Sequence, residues 1–240
     1  MFIDVHCHLD LLEKEIKLKK AVERARKKNI IIVSDGIDSE TNKKMLEYFE
    51  EYGVKICLGV YPDEPGNIDE EIEFIRKNSE KVWGIGEVGM DFVKGKSKKQ
   101  ETVFKKFISL SKELDKPITV HSRKAERECI EILEKAEAKK VIMHYFSGNL
   151  KLVSRIIDNG WFLSIPTAVK RSEHFQNVAR IVPIEQLLCE TDSPYSHPDK
   201  KFPNEPVNVL ESYQMIAKMK GLNLKYVEKR IEENFLKLSK

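Results

Sequence analysis

FIDVHCHLD (residues 2–10) opens the chain on an apolar run that ends in two histidines two positions apart. In an extended strand the side chains alternate between faces, so Asp4, His6 and His8 share one side and Ile3, Val5 and Cys7 the other. The apolar side suits packing beneath helices, while the other presents two imidazoles able to hold one metal ion between them. An open doubly wound sheet, the main rival architecture, usually places a Gly-rich phosphate loop after its first strand. His-Cys-His stands there instead.

Outward from this segment the pattern repeats. Further strand candidates are IIIVSD (30–35), VKICLGV (54–60), VWGIGEV (82–88), PITVHS (117–122), KVIMHYF (140–146), WFLSI (161–165) and LLCETD (187–192). Helical stretches at 13–28, 39–52, 68–79, 98–115 and 124–136 lie between them, with apolar residues three and four apart, as in Phe104, Phe107, Ile108 and Leu110. Two more helices are expected at about 206–219 and 223–237. Strands that alternate with helices pair in parallel through right-handed crossovers. In 240 residues the economical closure is an α/β fold of one domain, a (β/α)8 TIM barrel over residues 1–240. Gly- and Pro-containing stretches (62–66, 89–95, 194–206) follow strand ends and divide nothing into halves.

The composition narrows the setting. Apolar residues make up 41% and charged residues 34%, mostly Lys and Glu mixed along amphipathic segments, which is solvated helix surface. A net charge of +3 is too small for a whole-domain nucleic-acid footprint, so any polyanion site has to be local. Cys7, Cys57, Cys129 and Cys189 form no C-x-x-C pair and read as small core hydrophobes rather than metal ligands. No basic-then-apolar leader and no run of ~18 apolar residues occurs, so the expectation is a cytoplasmic chain with reduced thiols, without membrane or obligate protein partner.

Position gives the histidines their meaning. Glu87 falls at the end of the fourth strand run, His121 of the fifth, His144 of the sixth and Asp192 of the eighth. In a closed parallel barrel the C-terminal ends of all strands meet at one mouth, where active sites are built. One histidine taken singly is ordinarily a hydrogen-bonded core residue; four of the chain's six at one rim call for a common purpose. Imidazole and carboxylate without thiolate suit Zn, Mn, Fe or, less readily, Mg. Six ligands exceed what a single catalytic ion with an open position needs, and suit two divalent ions sharing a carboxylate.

At these residues the chain resembles the TatD-like metal-dependent deoxyribonucleases of the amidohydrolase superfamily, over almost its whole length. The markers are DVHCHLD (4–10), GEVGMDF (86–92), Gln100 before a Phe-rich helix, VHSRKA (120–125), HYFSG (144–148), ETDSPY (190–195), NEPVNV (204–209) and NFLKL (234–238). The resemblance implies one metal on His6, His8, Glu87 and Asp192 and a second on His121 and His144, with Glu87 bridging. Superfamily members with a modified lysine at the fourth strand are disfavoured, because Glu87 occupies that place. One departure concerns substrate. The family often reads G-x-H-P-H after the third strand, where this chain has Gly59-Val60-Tyr61-Pro62-Asp63. Tyr61 retains a hydrogen-bond donor, and Asp63 or Glu64 is expected near the mouth.

Two metals would lower the pKa of a water and offset charge in the transition state, and the resemblance implies that the bond hydrolysed is a phosphodiester of DNA. Asp192 is the expected proton acceptor, and Glu87 fixes the metal spacing. Arg123, two residues after His121, is the best candidate for gripping a phosphate through its planar fork, with Tyr61 a second substrate contact. Lys94, Lys96, Lys98, Lys99, Lys124, Lys170, Arg171, Lys200 and Lys201 follow strand ends, though most such lysines are solvated loop residues. Phe92, Tyr145, Phe146 and Tyr195 are candidates for base stacking. Asp4, Asn204 and Glu205 are candidates for orienting the imidazoles. The alternatives are hydrolysis of small phosphoesters or of ester or amide bonds, and a barrel that has lost activity and serves as a binding partner. The complete ligand set opposes the last.

Overall fold

A computed structural model describes residues 1–63 and 66–239; Glu64 lies outside them. Eight strands form one sheet in sequence order: β1 (Phe2–Cys7), β2 (Ile30–Asp35), β3 (Lys55–Leu58), β4 (Gly84–Gly89), β5 (Ile118–His121), β6 (Val141–Met143), β7 (Phe162–Pro166) and β8 (Leu187–Glu190). Every neighbouring pair is parallel. The ends of this sheet meet. Asp192 N–H donates to the His6 carbonyl at 3.0 Å, and His8 N–H donates to the Ser193 carbonyl at 2.8 Å. Beneath them Asp4 accepts from Thr191 N–H at 2.7 Å and from the Thr191 hydroxyl at 2.6 Å. The (β/α)8 barrel is therefore closed at its C-terminal rim by main-chain bonds from the two histidines themselves, on either side of Cys7.

Each crossover carries a helix: α1 (Leu9–Glu13) and α2 (Leu18–Lys27), then α3 (Ser39–Tyr52), α4 (Ile68–Lys77), α5 (Lys98–Glu113), α6 (Glu126–Lys135), α7 (Leu150–Asp158) and α8 (Glu173–Ile181). Two more, α9 (Val209–Lys220) and α10 (Leu224–Leu238), follow β8. Helix starts are chemically marked. Asp38, Asn67, Ser97, Asn149, Ser172 and Asn223 each accept a first-turn backbone N–H through the side chain, which satisfies a donor the helix leaves open. Helices cover the sheet from outside, so the strands are buried on both faces, as parallel sheets are. At the rim end the lumen is polar: Asp4, His6, Asp35, Thr119 and Glu190 are at most 1% exposed. No helix among the described residues is long and apolar enough to cross a membrane.

Several boundaries differ from those expected, each for a local reason. The helix expected over 13–28 begins only at Leu18, as α2, because a turn over 14–17 separates it from the short α1 that starts directly after His8. The run 140–146 yields only β6 (Val141–Met143), because Tyr145 turns the chain with φ +44°. Likewise the run 187–192 ends as a strand at Glu190, and Asp192 lies beyond it with φ +56°. Left-handed backbone is uncommon outside glycine, and Asp tolerates it better than most residues.

Gly89 shows how closely β4 and β5 approach. It pairs with His121 in register, has φ +146°, and an added Cβ would stand 1.9 Å from the His121 carbonyl oxygen. Neither strand can yield without moving Glu87 or His121. Gly89→Ala is expected to destabilise the protein by at least about 3 kcal/mol, seen as a lower urea midpoint. An unchanged midpoint would contradict this account of the β4–β5 contact.

Candidate metal centre

All six expected ligands converge at the C-terminal mouth. His6 lies in β1 and His8 just after it, where the chain enters α1; Glu87 lies in β4; His121 ends β5; His144 follows β6; Asp192 follows β8. Three groupings, His6–His8–Glu87, His6–His144–Asp192 and Glu87–His121–His144, bring one ligand atom from each residue within 4.8 Å of the others.

Glu87 is the hub. Its Oε2 lies 3.3 Å from His8 Nε2 and 3.8 Å from His6 Nε2. Its Oε1 lies 2.7 Å from His121 Nδ1 and 3.4 Å from His144 Nε2. Asp192 Oδ1 completes the first side, 3.6 Å from His6 Nε2 and 3.9 Å from His8 Nε2. One carboxylate thus turns an oxygen to each imidazole pair, as a group shared by two cations must.

Each imidazole is also held from behind. His6 Nδ1 sits 3.1 Å from Asp35 Oδ2, an ionic contact rather than an aligned hydrogen bond. His8 Nδ1 lies 3.2 Å from the Asp35 carbonyl. His144 Nδ1 meets Glu190 Oε2 at 3.1 Å, and Glu190 in turn accepts from the Ser164 hydroxyl and Tyr145 N–H. His121 presents its other edge, with Nε2 3.1 Å from Asp91 Oδ2. Carboxylates and carbonyls in this position fix ring orientation and raise ligand basicity.

Asp35, Asp91 and Glu190 were not singled out from the sequence. The signal existed, because each is an acidic residue at or just beyond the end of an apolar strand run. The three residues proposed for that role do other work. Asp4 braces Thr191 across the barrel seam. Asn204 donates to the Thr191 carbonyl and to the Thr167 hydroxyl. Glu205 pairs with Arg24 on the surface.

The electrostatics fit a cation-binding cluster. Burial favours loss of the His6 proton, but Asp35, Asp192 and Glu87 outweigh it and lift the pKa well above the ordinary imidazole range. Burial and the neighbouring His6 charge oppose protonation of His144, while Glu190 and Glu87 push its pKa up to about 10. Burial favours the neutral form of Glu87, yet His121, His144 and His8 hold its pKa well below that of an ordinary carboxyl. Asp192 is lowered against burial in the same way, chiefly by His6. His6 Nε2 is fully buried with no hydrogen-bond partner, a costly state that a bound cation relieves. The donor set and this orphaned nitrogen both fit a divalent metal.

A cavity of about 490 Å³ opens over the cluster, lined by Leu11, Ile37, Tyr61, Arg123 and Tyr195 beside the ligands. Both proposed substrate contacts therefore reach it. Arg123 is exposed. Tyr61 donates to Asp91 Oδ2 at 3.1 Å and lies 3.2 Å from His121 Nε2, so its hydroxyl is engaged with the ligand's support. Tyr195, 52% exposed, faces the opening, whereas Phe146 is 1% exposed beneath Gly148 and is not available for stacking. Cys7 and Cys189 are buried away from solvent, as expected. Among the rim lysines, Lys94 pairs with Asp63, Lys96 with Glu128 and Lys170 with Asp199.

Comparison with known proteins gives a consistent result. The sequence pattern of the family described as TatD related DNase matches residues 3–240. An uncharacterised metal-dependent hydrolase of Methanocaldococcus jannaschii is 35% identical, the match covering 100% of this chain and 97% of the relative. The human deoxyribonuclease TATDN3 is 33% identical over 98% of this chain and 93% of its own. Among solved structures, the TatD homologue YJJV of Escherichia coli superposes with a TM-score of 0.90 at 21% identity, over 99% of this chain and 97% of that one. At that identity the likeness speaks to the fold.

Because His6, His8 and His144 bind protons more tightly than free imidazole, a cation entering the cluster has to displace them. Calorimetric titration of metal-free protein with Zn2+ or Mn2+ at pH 7 is expected to show proton release, as apparent enthalpies that vary with buffer ionisation heat. The number released should be larger at pH 6 than at pH 8, because fewer protons remain on the cluster as pH rises. Buffer-independent enthalpies at pH 7 would contradict these proton affinities.

Proposed function

The chain belongs to the family of TatD-related DNases, and we propose that this metal-dependent hydrolase cleaves phosphodiester bonds of DNA at the cluster around Glu87. The observation that carries the reading is the Glu87 carboxylate, whose two oxygens face separate imidazole pairs. On this reading His6, His8, Glu87 and Asp192 hold one divalent ion, and His121, His144 and Glu87 hold a second, with Zn or Mn the better suited and Mg less so. When bound, such ions supply Lewis acidity that makes water a nucleophile near neutral pH and offsets charge on the phosphoryl oxygens.

The chain's own groups do the rest. Asp192 is ionised at neutral pH, since its pKa is held low, and it faces the cavity from a loop rather than from within a strand. It accepts a proton from the attacking water as the new bond to phosphorus forms, and that proton is returned to the departing sugar oxygen as its bond to phosphorus breaks, leaving a neutral alcohol and Asp192 ionised again. Arg123 binds non-bridging phosphate oxygens through its planar fork. Tyr61 stays neutral, because burial and the nearby Glu87 and Asp91 push its pKa far up; it remains a donor at the edge of the cavity. Leu11 and Ile37 line one wall and limit access of bulk water.

DNA as substrate is supported by the relatives named deoxyribonucleases. One observation favours the second reading, hydrolysis of small phosphoesters or of ester or amide bonds: several rim lysines are neutralised by acidic partners, which weakens long-range attraction of a polyanion. Metal-loaded protein offered single-stranded DNA alongside small phosphate esters and lactones separates the two. Shortening of the DNA is expected, and turnover of the small compounds alone would overturn the nuclease reading.

Asp192→Asn is expected to lower hydrolysis by roughly 10²–10⁴-fold with the thermal transition little changed. Full turnover in that variant would remove Asp192 from the reaction. Arg123→Ala should raise KM for DNA and reduce the slope of log affinity against log salt by about one. An unchanged slope would count against a phosphate contact.

A further inference from the structure

The four imidazoles are not held alike. His6, His8 and His144 turn Nε2 toward the carboxylates of the cluster, and their side chains are 0%, 7% and 6% exposed. Their other nitrogens are braced by Asp35 and Glu190, which belong to β2 and β8 and are 0% exposed. His121 alone turns Nδ1 inward and is the most exposed of the four, at 12%. Its Nε2 is braced by Asp91, which lies beyond the end of β4, in a loop.

Asp91 is itself held by a chain of loop contacts. Its Oδ2 accepts from the Tyr61 hydroxyl at 3.1 Å, and its Oδ1 accepts from Val93 N–H at 2.8 Å. Gln100 accepts from Asp91 N–H at 3.0 Å and donates to Asp63 Oδ1 at 2.9 Å. Asp63 then pairs with Lys94, whose side chain is 81% exposed. The support of His121 thus runs outward to solvent, whereas that of the other three ends inside the barrel.

From this asymmetry we infer that the two cation positions are unequal, and that Asp91, steadied by Tyr61 and Gln100, is a positioning residue setting the affinity of the outer one on the His121–His144 side. The inner position, on His6, His8, Glu87 and Asp192, is framed by the closed β1–β8 seam, whose main-chain bonds tie the backbone of Asp192 directly to His6. The outer one is complete only when the His121 ring stands edge-on to Glu87 with its proton on Nε2. Asp91 enforces that state by accepting the Nε2 proton. The Tyr61 hydroxyl donates its one hydrogen bond to Asp91 and limits where the carboxylate can swing. Groups in this position typically change metal affinity by roughly 10–100-fold when removed.

The inference rests on the two-cation reading of the cluster, and its test does not depend on DNA hydrolysis. The metal-free full-length protein would be titrated with Mn2+, following free ion by electron paramagnetic resonance. Two phases are expected, one ion each. Asp91→Ala should weaken the second phase by roughly 10–100-fold and leave the first unchanged; Asp91→Asn, which keeps an acceptor, should lie between it and wild type. Tyr61→Phe removes one hydroxyl and should weaken the same phase by less, which provides a readout should Asp91→Ala fail to fold. A single bound ion, two equivalent ions, or equal weakening of both phases by these substitutions would overturn the inference. Two unequal phases that respond as described in a protein without activity on DNA would uphold it and refute the nuclease reading instead.

Discussion

Closure of the barrel between its first and last strands is the constraint from which the site follows. The His6 carbonyl accepts from Asp192 N–H, and His8 N–H donates to Ser193 one step further on. These bonds join residues far apart in sequence and set their side chains around one point. Asp4 reinforces the seam from below by taking both donors of Thr191. Its burial raises its pKa well above that of an ordinary carboxyl, against the lowering effect of the Thr191 bonds. A buried acid is an expensive brace. Its position, two residues below His6 on the same strand face, explains why such a brace is nonetheless in place.

The same economy governs the cluster. Taking several charges out of water costs more than isolated pairing returns, and such networks contribute little net stability. Here every imbalance faces inward. Carboxylates outnumber the imidazoles they surround, with Glu87 and Asp192 in front and Asp35, Asp91 and Glu190 behind. Without a cation the imidazoles retain protons, as the raised pKa values of His6, His8 and His144 express. On the proposed reading, protons and metal ions would compete for the same excess of negative charge, and the arrangement fits binding a cation better than adding to folding stability.

Much of this was legible before any coordinates, and the limits of legibility are physical. Strand alternation set His6 and His8 on one face, and strand ends gathered Glu87, His121, His144 and Asp192, because barrel topology converts sequence position into depth. What alternation cannot do is separate a ligand from its support. Glu190 and Asp192 share parity, yet Glu190 is in β8 beneath His144, while Asp192 lies past the strand in left-handed backbone and reaches the cavity. Asp4 was read as supporting an imidazole and is one step too deep to do so. The run ending in His144, Tyr145 and Phe146 read as one strand because all its residues suit burial. Only the turn at Tyr145 shows that Phe146 is buried as loop packing. Asp91 could be noticed as an acid past a strand end, but not its role: its partner His121 presents the opposite ring edge from the other three, a choice no spacing rule encodes.

Positive residues follow several strand ends, and most of them read from the sequence as solvated loop residues. Lys94, Lys96 and Lys170 pair with Asp63, Glu128 and Asp199. Exposed pairs of this kind are worth little in stability, and they offset three of the positive charges near the mouth. Inside the cavity Arg123 stands beside the cluster with Tyr61 and Tyr195. On the reading proposed above, recognition would arise there at short range, by contact with one phosphate and its immediate surroundings. That expectation joins the modest net charge of the protein to the concentration of its chemistry in a single cleft.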